Sequence, residues 1–364
     1  MKLVWKYIKY IISLPYQLLH ELRKLLYSSG ILRVRKLDAF VISVGNLSFG
    51  GTGKTPVTVE LAKYLSKETG KRIAILTRAY KSDPELTSGK TLLLNQEGLW
   101  DLAEGKKPNL KSKIEDVSAH GVGDEPYMMN LLLHTELFGS VTDLQVEGEQ
   151  AEAQIDIVID SNRYRGGLRA QELGAEILIL DDGRQHLQLA RDFEILLKNI
   201  NESGFFRELP GNYTQADLLI HTKVNEAWIA KNPDKFAVQN KISLMKLLTP
   251  NKGVLVFSGI ADPESFLGDL TSYFEASKSP LATPPGLGDG GQITHKFYPD
   301  HHSFSDKEVR DLISKGTNLV CTLKDYVKVP RCYQGEIIPA GIELEVSHSD
   351  CFKQIVGKLK NART

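Results

Sequence analysis

An α/β fold built on a doubly wound, mainly parallel sheet is predicted by three observations. Short apolar, β-branched runs alternate with segments of helical spacing, a glycine-rich turn joins the first run to the first such segment, and the alternation resumes in a shorter second block. The turn, SFGGTGKTP from Ser48 to Pro56, ends as a Walker A loop ends, so the sheet is expected to be of the P-loop NTPase type.

The first strand is AFVISVGN, Ala39 to Asn46, and PVTVELAKYLSKETG after the turn has helical spacing, with Gly70 as its stop. Further strands are expected at RIAILT (Arg72 to Thr77), IDIVID (Ile155 to Asp160), AEILILDD (Ala175 to Asp182), FEILLKNI and DLLIHTK, with EPYMMNLLLHTEL as a helix. Runs that are apolar throughout suit strands buried on both faces. Lys81 to Gly121 is polar and less regular, and is expected to form an excursion at the sheet edge. After Lys223, KNPDKFAVQNK breaks the pattern. Strands GVLVFSGI, QITHKFY and NLVCTLKD then alternate with helices around PESFLGDLTSYF and SDKEVRDLISKG, and SPLATPPGLGDGG reads as a loop between them. The expected units are an amphipathic helix over 1–30, a nucleotide-binding unit over 31–225 and a smaller α/β unit over 226–364.

The opening segment, MKLVWKYIKYIISLPYQLLHELRKLLYSSG, places Val4, Ile8, Ile11, Ile12, Leu18, Leu19, Leu22, Leu25 and Leu26 near one helical stripe, with Lys2, Lys6, Lys9, Arg23 and Lys24 along it. Its apolar stretch between Lys9 and His20 falls short of the roughly 20 residues that span a bilayer. No small-residue cleavage site follows, so a signal peptide is disfavoured. The pattern predicts a basic helix, kinked near Pro15, that lies on an anionic membrane surface with Trp5 and Tyr7 at the interface. Packing against the protein is the alternative use of such a stripe.

Among 364 residues, Lys plus Arg balances Asp plus Glu at 45 each, which excludes the basic excess of a general nucleic-acid binder. The three cysteines form no C-x-x-C pair, which fits a reducing compartment.

The chemistry concentrates in four boxes. In the turn, Gly50, Gly51 and Gly53 let the backbone approach a phosphate, and Ser48 stands where the general Walker pattern has glycine. Lys54 would reach the β- and γ-phosphates of ATP, Thr55 would place its hydroxyl on Mg²⁺, and Pro56 suits a first helical turn. Ser48, Gly50, Gly51, Thr52, Gly53, Lys54 and Thr55 are thus the expected nucleotide contacts, against a plain glycine turn as the simpler reading. Asp181 and Asp182 close an apolar strand, where a Walker site needs a metal-side carboxylate, or serve as turn formers. VGDEP offers Asp124 and Glu125 just before a helix, where Asp124 could also be an N-cap. YPDHHSF offers His301 and His302, whose adjacent side chains diverge, so a metal shared by both is disfavoured and one of them faces a site.

Taken in order, VGNLSFGGTGKTP, LTRAY, VGDEP, NRYRGG, LDDGRQH, FSGIADPESF, FYPDHHSF and TLKDYVKV, behind an amphipathic helix, resemble the tetraacyldisaccharide 4'-kinase family of lipid A synthesis. The resemblance runs from the first helix to about Lys328, and a short hydroxyl residue before the glycine pair, as at Ser48, is usual in that family. It implies transfer of the γ-phosphoryl group of ATP to the 4'-hydroxyl of a tetraacylated glucosamine disaccharide 1-phosphate. The enzyme would be peripheral, at the cytoplasmic face of the bacterial inner membrane. By motif, Lys54 and Thr55 match the nucleotide and Mg²⁺ positions, and Asp181 and Asp182 the metal-side carboxylates. Asp124 matches the catalytic aspartate, and His301 its histidine partner from the second unit. Arg78 with Tyr80, Glu125 and Arg163 fall on the substrate side. The competing functional readings are a membrane-surface P-loop ATPase, with water as acceptor, and a nucleotide-gated adaptor that transfers nothing.

Overall fold

The computed structural model describes residues 2–78, 80, 82–103, 107–134, 154–202, 204–249, 252–260, 262–276, 293–300, 302–346 and 350–361. One sheet of 14 strands organises them. In chain order the strands are β1 (Phe40–Asn46), β2 (Ile73–Thr77), β3 (Leu92–Leu94), β4 (Gly98–Asp101), β5 (Asn109–Lys113), β6 (Ile155–Ile159) and β7 (Ile177–Asp181). They continue as β8 (Phe193–Asn199), β9 (Leu218–Thr222), β10 (Ala237–Leu244), β11 (Val254–Ser258), β12 (Ile293–Phe297), β13 (Asn318–Thr322) and β14 (Ile337–Val346). The helices are α1 (Lys2–Ser28), α2 (Lys54–Thr69), α3 (Pro84–Thr87), α4 (Ala119–Val122), α5 (Asp124–His134) and α6 (Arg163–Glu172). After these come α7 (Glu226–Lys231), α8 (Pro263–Ala276), α9 (Asp306–Ile313), α10 (Leu323–Tyr326) and α11 (Lys353–Asn361).

Across the sheet the order is β12-β11-β13-β14-β10-β9-β8-β1-β7-β2-β6-β3-β4-β5. From β10 through β9, β8, β1, β7 and β2 to β6 every neighbour is parallel. The polar stretch after Lys81 supplies β3, β4 and β5, which extend one edge antiparallel, as an excursion at the edge requires. On the other side β14 runs antiparallel to β10, and β13, β11 and β12 follow parallel to β14. The second block therefore joins the same sheet, through β10 and β14.

The central strands β1, β2 and β7 are buried along their whole length, which their unbroken apolar sequence requires. On one face α2 lays Val57, Leu61, Ala62 and Leu65 over Ile42, Val44, Ile75 and Ile179. On the other, Ala170 of α6 packs with Leu37, Val41, Leu76 and Leu178. Gly70 closes α2 in the left-handed region, at φ 62°, and its N–H donates to Ser66 O.

Pro15 lies inside the single helix α1. Ser13, Gln17 and His20 are buried, whereas Val4, Ile11, Ile12, Leu18, Leu19, Leu22 and Leu25 are exposed. The polar side of α1 thus faces the protein. There Glu208, with no exposed surface, lies 3.3 Å from His20 Nε2 and 3.0 Å from Arg184 Nη2. Burial would raise the Glu208 carboxyl, but His20 and Arg184 hold it at about 2. Among the described residues no helix is long and apolar enough to cross a membrane.

Gly45 of β1 has no room for a side chain, because a Cβ there would lie 2.4 Å from Arg184 Cβ. Gly45→Ala is expected to lower stability by about 1–3 kcal/mol, the usual cost of overpacking a close-packed site. Urea unfolding of the variant beside the parent measures it.

Candidate active site

The site forms where chain connections diverge. From β1 the chain goes over β7 to β2, whereas β7 is followed by β8 on the other side of β1, so a crevice opens at the carboxyl end of β1. Register places Asp181, the last residue of β7, opposite Val44 of β1. The glycine turn runs out of β1 and opens α2 at Lys54. Gly50 and Gly53 take left-handed backbone, φ 112° and 77°, and a Cβ on either of them or on Gly51 would meet nothing within 4 Å. The turn therefore presents bare backbone to open space. Thr52 is buried, and its Oγ1 has no hydrogen-bond partner among the described residues. Ser48 is also buried, and its hydroxyl turns inward to Glu202 and Tyr213. Thr55, the second residue of α2, is half-buried.

Cations converge on Asp182. Lys54 Nζ lies 3.4 Å from its Oδ1, Arg78 Nη2 lies 3.1 Å from Oδ2, and Arg207 Nη1 donates to both oxygens, at 3.1 and 3.0 Å. Lys54 also donates to Asn46 Oδ1 at 3.2 Å. Burial opposes ionisation of Asp182, yet Lys54, Arg207 and Arg78 hold its carboxyl at about 2. Asp181 next to it has the opposite environment. It is 3% exposed and accepts from Thr58 Oγ1 at 3.4 Å. Burial, then the charges of Glu125 and Asp182, push its carboxyl up to about 7. Adjacent carboxylates are thus driven apart by their surroundings.

Arg163 stands behind this pair, 3% exposed. It donates to Asp160 O at 2.7 Å and to Asp181 O at 3.5 Å. Burial and the nearby Arg78 push its guanidinium down to about 10. Its contacts are to backbone carbonyls, so it braces the ends of β6 and β7.

Asp124 begins α5 and is half-buried, and Glu125 beside it is exposed. Gly123 leads into the helix at φ 98°, and a Cβ there would lie 2.8 Å from Tyr80 O. The Arg78–Tyr80 box and the Asp124 box are therefore pressed together, which accounts for the glycine between Val122 and Asp124. His301 lies outside the described residues. His302 is engaged elsewhere: its Nε2 is 3.1 Å from Glu308 Oε1, and its ring stacks on Tyr298 with centroids 4.5 Å apart. Close by, α10 packs against α5, which brings the second block to the Asp124 helix.

Lys54, Asp181, Asp182 and Arg78 thus share one crevice with the turn, Arg163 backs it, and the charge of Glu125 reaches Asp181. Motif reading passed over Arg207, Asn46 and Thr58. Arg207 lies in RELPGNY, where nothing local distinguishes it from a surface arginine; Thr58 was legible in principle, one helical turn past Lys54.

A crevice that gathers cations around a carboxylate pair, at the mouth of a bare-backbone turn, is built to hold a polyphosphate, and this is what a phosphotransferase requires. The comparisons define which one. The family model described as LpxK, tetraacyldisaccharide-1-P 4'-kinase, matches residues 5–138 and 149–360, and the chain belongs to that family. Tetraacyldisaccharide 4'-kinase of Geobacter metallireducens is 31% identical, covering 88% of this chain and 87% of that protein. The enzyme of the same name from Aquifex aeolicus is 37% identical, covering 87% and 89%. A crystal structure of the "apo" form of LpxK from Aquifex aeolicus in complex with ATP superposes with a TM-score of 0.63, at 27% identity over 98% of each chain.

The raised carboxyl of Asp181 has a stability consequence with a definite sign. Its folded value, about 7, lies above the 3.8 of a free side chain, so the folded state binds the extra proton and stability falls as pH rises through that window. In metal-free protein, Asp181→Asn is expected to gain melting temperature over the parent progressively from about pH 4 to pH 7, then level off. Thermal melts of both proteins across that range check it.

Proposed function

We propose that the chain transfers the γ-phosphoryl group of ATP to the 4'-hydroxyl of a tetraacylated glucosamine disaccharide 1-phosphate, as a peripheral enzyme at the cytoplasmic face of the inner membrane. The observation that carries this reading is the convergence of Lys54, Arg78 and Arg207 on Asp182, beside Asp181, at the mouth of the glycine turn. Read as a phosphate loop, the turn cradles the polyphosphate with its backbone amides and the N-terminus of α2. Lys54 is released from Asp182 to the β- and γ-phosphates, and Arg78 can follow.

The donor set fits Mg²⁺. The Asp181 carboxyl is raised first by burial and then by the charges of Glu125 and Asp182, and a cation beside it would offset these. Thr55, Asp181 and Asp182 would hold the ion, a small oxygen set of the kind that leaves Mg²⁺ its phosphate and water ligands. Once bound, the ion neutralises charge developing on the phosphate oxygens.

An alcohol attacks poorly with its proton in place, so a carboxylate that accepts the proton as the O–P bond forms and the bond to ADP breaks is required. Asp124 is assigned that role, at the start of α5 beside Glu125. His301, from the second block, is assigned as its partner. Packing of α10 of that block on α5 supports this pairing.

The membrane assignment rests on the outward apolar face of α1. An acylated disaccharide that leaves the bilayer exposes methylenes at about 0.8 kcal/mol each. An enzyme seated on the surface through Ile11, Ile12, Leu18, Leu19 and Leu22 avoids most of that cost.

Two experiments test the reading. With γ-labelled ATP, Mg²⁺ and tetraacyldisaccharide 1-phosphate in micelles, the wild type should label the lipid. Asp124→Ala should lose roughly 10²- to 10⁴-fold in turnover while still binding ATP. Release of labelled phosphate without labelled lipid would point to the ATPase reading, and neither product to the adaptor. For the membrane, Leu18→Glu combined with Leu19→Glu should abolish co-sedimentation with anionic vesicles. These substitutions leave the His20 side of α1 intact, which a truncation would not. Unchanged sedimentation would assign the exposed face another use.

A further inference from the structure

The phosphate loop carries an aromatic side chain that phosphate binding does not use. Such a loop works through its amides, yet Phe49 sits in it between Ser48 and Gly50. Its half-buried ring lies against Phe205, with centroids 4.5 Å apart and planes tilted by 32°. Tyr16 of α1 meets the same ring edge-on, at 5.6 Å and 64°. The guanidinium of Arg207 stands over it, with Cζ 5.2 Å from the centroid. Arg207 is also the residue whose Nη1 holds both oxygens of Asp182. One ring therefore separates the N-terminal helix from a cation that sets the metal-side carboxylate.

The backbone makes the same connection. Phe49 N donates to Phe205 O at 2.8 Å, and Arg207 N donates to Leu47 O at 2.6 Å. Ser48 bridges Phe206 in antiparallel fashion between those two bonds. Residues 204–208 thus form a splint along the phosphate loop, and α1 lies along that splint. At Gly204 a Cβ would come within 2.7 Å of Lys6 O. At Phe206 the ring meets Tyr10 edge-on, at 6.1 Å and 79°. At Glu208 the carboxylate lies beside His20. Lys6, Tyr10, Ser13, Gln17 and His20 recur at intervals of three and four, so one face of the helix follows the splint throughout.

We propose that Phe49 is a positioning residue through which the seating of α1 sets Arg207 on Asp182, so that nucleotide affinity is linked to attachment of α1 to an anionic lipid surface. The linkage is reciprocal: a surface that fixes α1 tightens ATP binding, and ATP tightens lipid binding by the same factor. Measured couplings between sites run from about 5- to 150-fold, and one transmitted through a single ring belongs at the lower end, on the order of 5-fold. This inference rests on the membrane-surface reading of α1, which vesicle co-sedimentation tests separately.

The experiment uses the full chain and a non-hydrolysable ATP analogue with Mg²⁺, titrated with and without vesicles of phosphatidylglycerol and phosphatidylethanolamine. Vesicles should tighten binding to the wild type roughly 5-fold. In Phe49→Ala that gain should vanish while co-sedimentation persists, and Phe49→Tyr, which keeps the ring, should retain it. In turnover, Phe49→Ala should raise KM for ATP and leave KM for the lipid acceptor unchanged, a split that general loosening of the fold would not produce. Should Phe49→Ala fail to fold, as its melting curve would report, Tyr16→Ala removes the helix side of the contact from a residue that is already 46% exposed. An equal vesicle response in the wild type and the ring-deleted variant overturns the proposal. So does a wild type that sediments with vesicles yet binds nucleotide no better for it. A wild type that does not sediment at all overturns the membrane reading itself, and the linkage with it.

Discussion

One carboxylate fixes the geometry of the site. Asp182 draws in Lys54 from the start of α2, Arg78 from beyond β2 and Arg207 from the segment after β8. Its backbone is itself committed, because it occupies the left-handed region at φ 51°, which aspartate tolerates better than most residues. With three cations on a group 16% exposed, removing the charge would leave them facing one another, and a buried ion pair stripped of one partner is costly. At Asp181, one residue earlier and on the buried end of β7, burial and the charges of Glu125 and Asp182 outweigh what Lys54 and Arg163 supply. A shared strand end thus yields one firmly ionised acid and one that titrates near neutrality.

Most of this half of the molecule was legible because its signals are contiguous. β1, β2, β6, β7, β8 and β9 each come from a mainly apolar run bounded by polar or turn residues; the Lys54 box follows β1, the Asp181–Asp182 pair closes β7, and Asp124 opens the helical run of α5. The illegible parts are those where burial is divided. β10 is AVQNKISL, buried at its first two residues and only partly covered afterwards, so its sequence gives neither a continuous run nor a clean alternation. β14 holds Pro339 and ends in alternating glutamates, features that demote a strand when read alone. These two pair with each other, and the sheet supplies what their sequences lack. Arg207 was hidden for a different reason. Its role depends on a loop returning across the end of β1, and no spacing rule encodes that return.

The N-terminal helix shows how an apolar stripe can be read correctly and still leave its orientation open. The stripe alone permits the apolar side to face the protein or to face away. The decision comes from the few polar residues on the opposite side. Ser13, Gln17 and His20 are buried, His20 beside Glu208, while Asn212 donates to Glu21, and an apolar face set there would take one partner each from Glu208 and Asn212. The buried carboxylate at Glu208 therefore selects which side of α1 is presented outward.

The seam between β9 and β10 has a mechanical meaning. β10 and β14 run opposite each other from the Val238–Val346 pair to the Leu244–Ala340 pair. β9 and β10 are joined through Ala237 opposite His221 and Val238 opposite Thr222. That ladder is thin, so the second block is clamped to the first mainly through side chains: β14 and α11 pack on α2, and α10 packs on α5. A load on the second block is therefore carried onto α2, the helix that begins with Lys54 and so with one of the cations on Asp182.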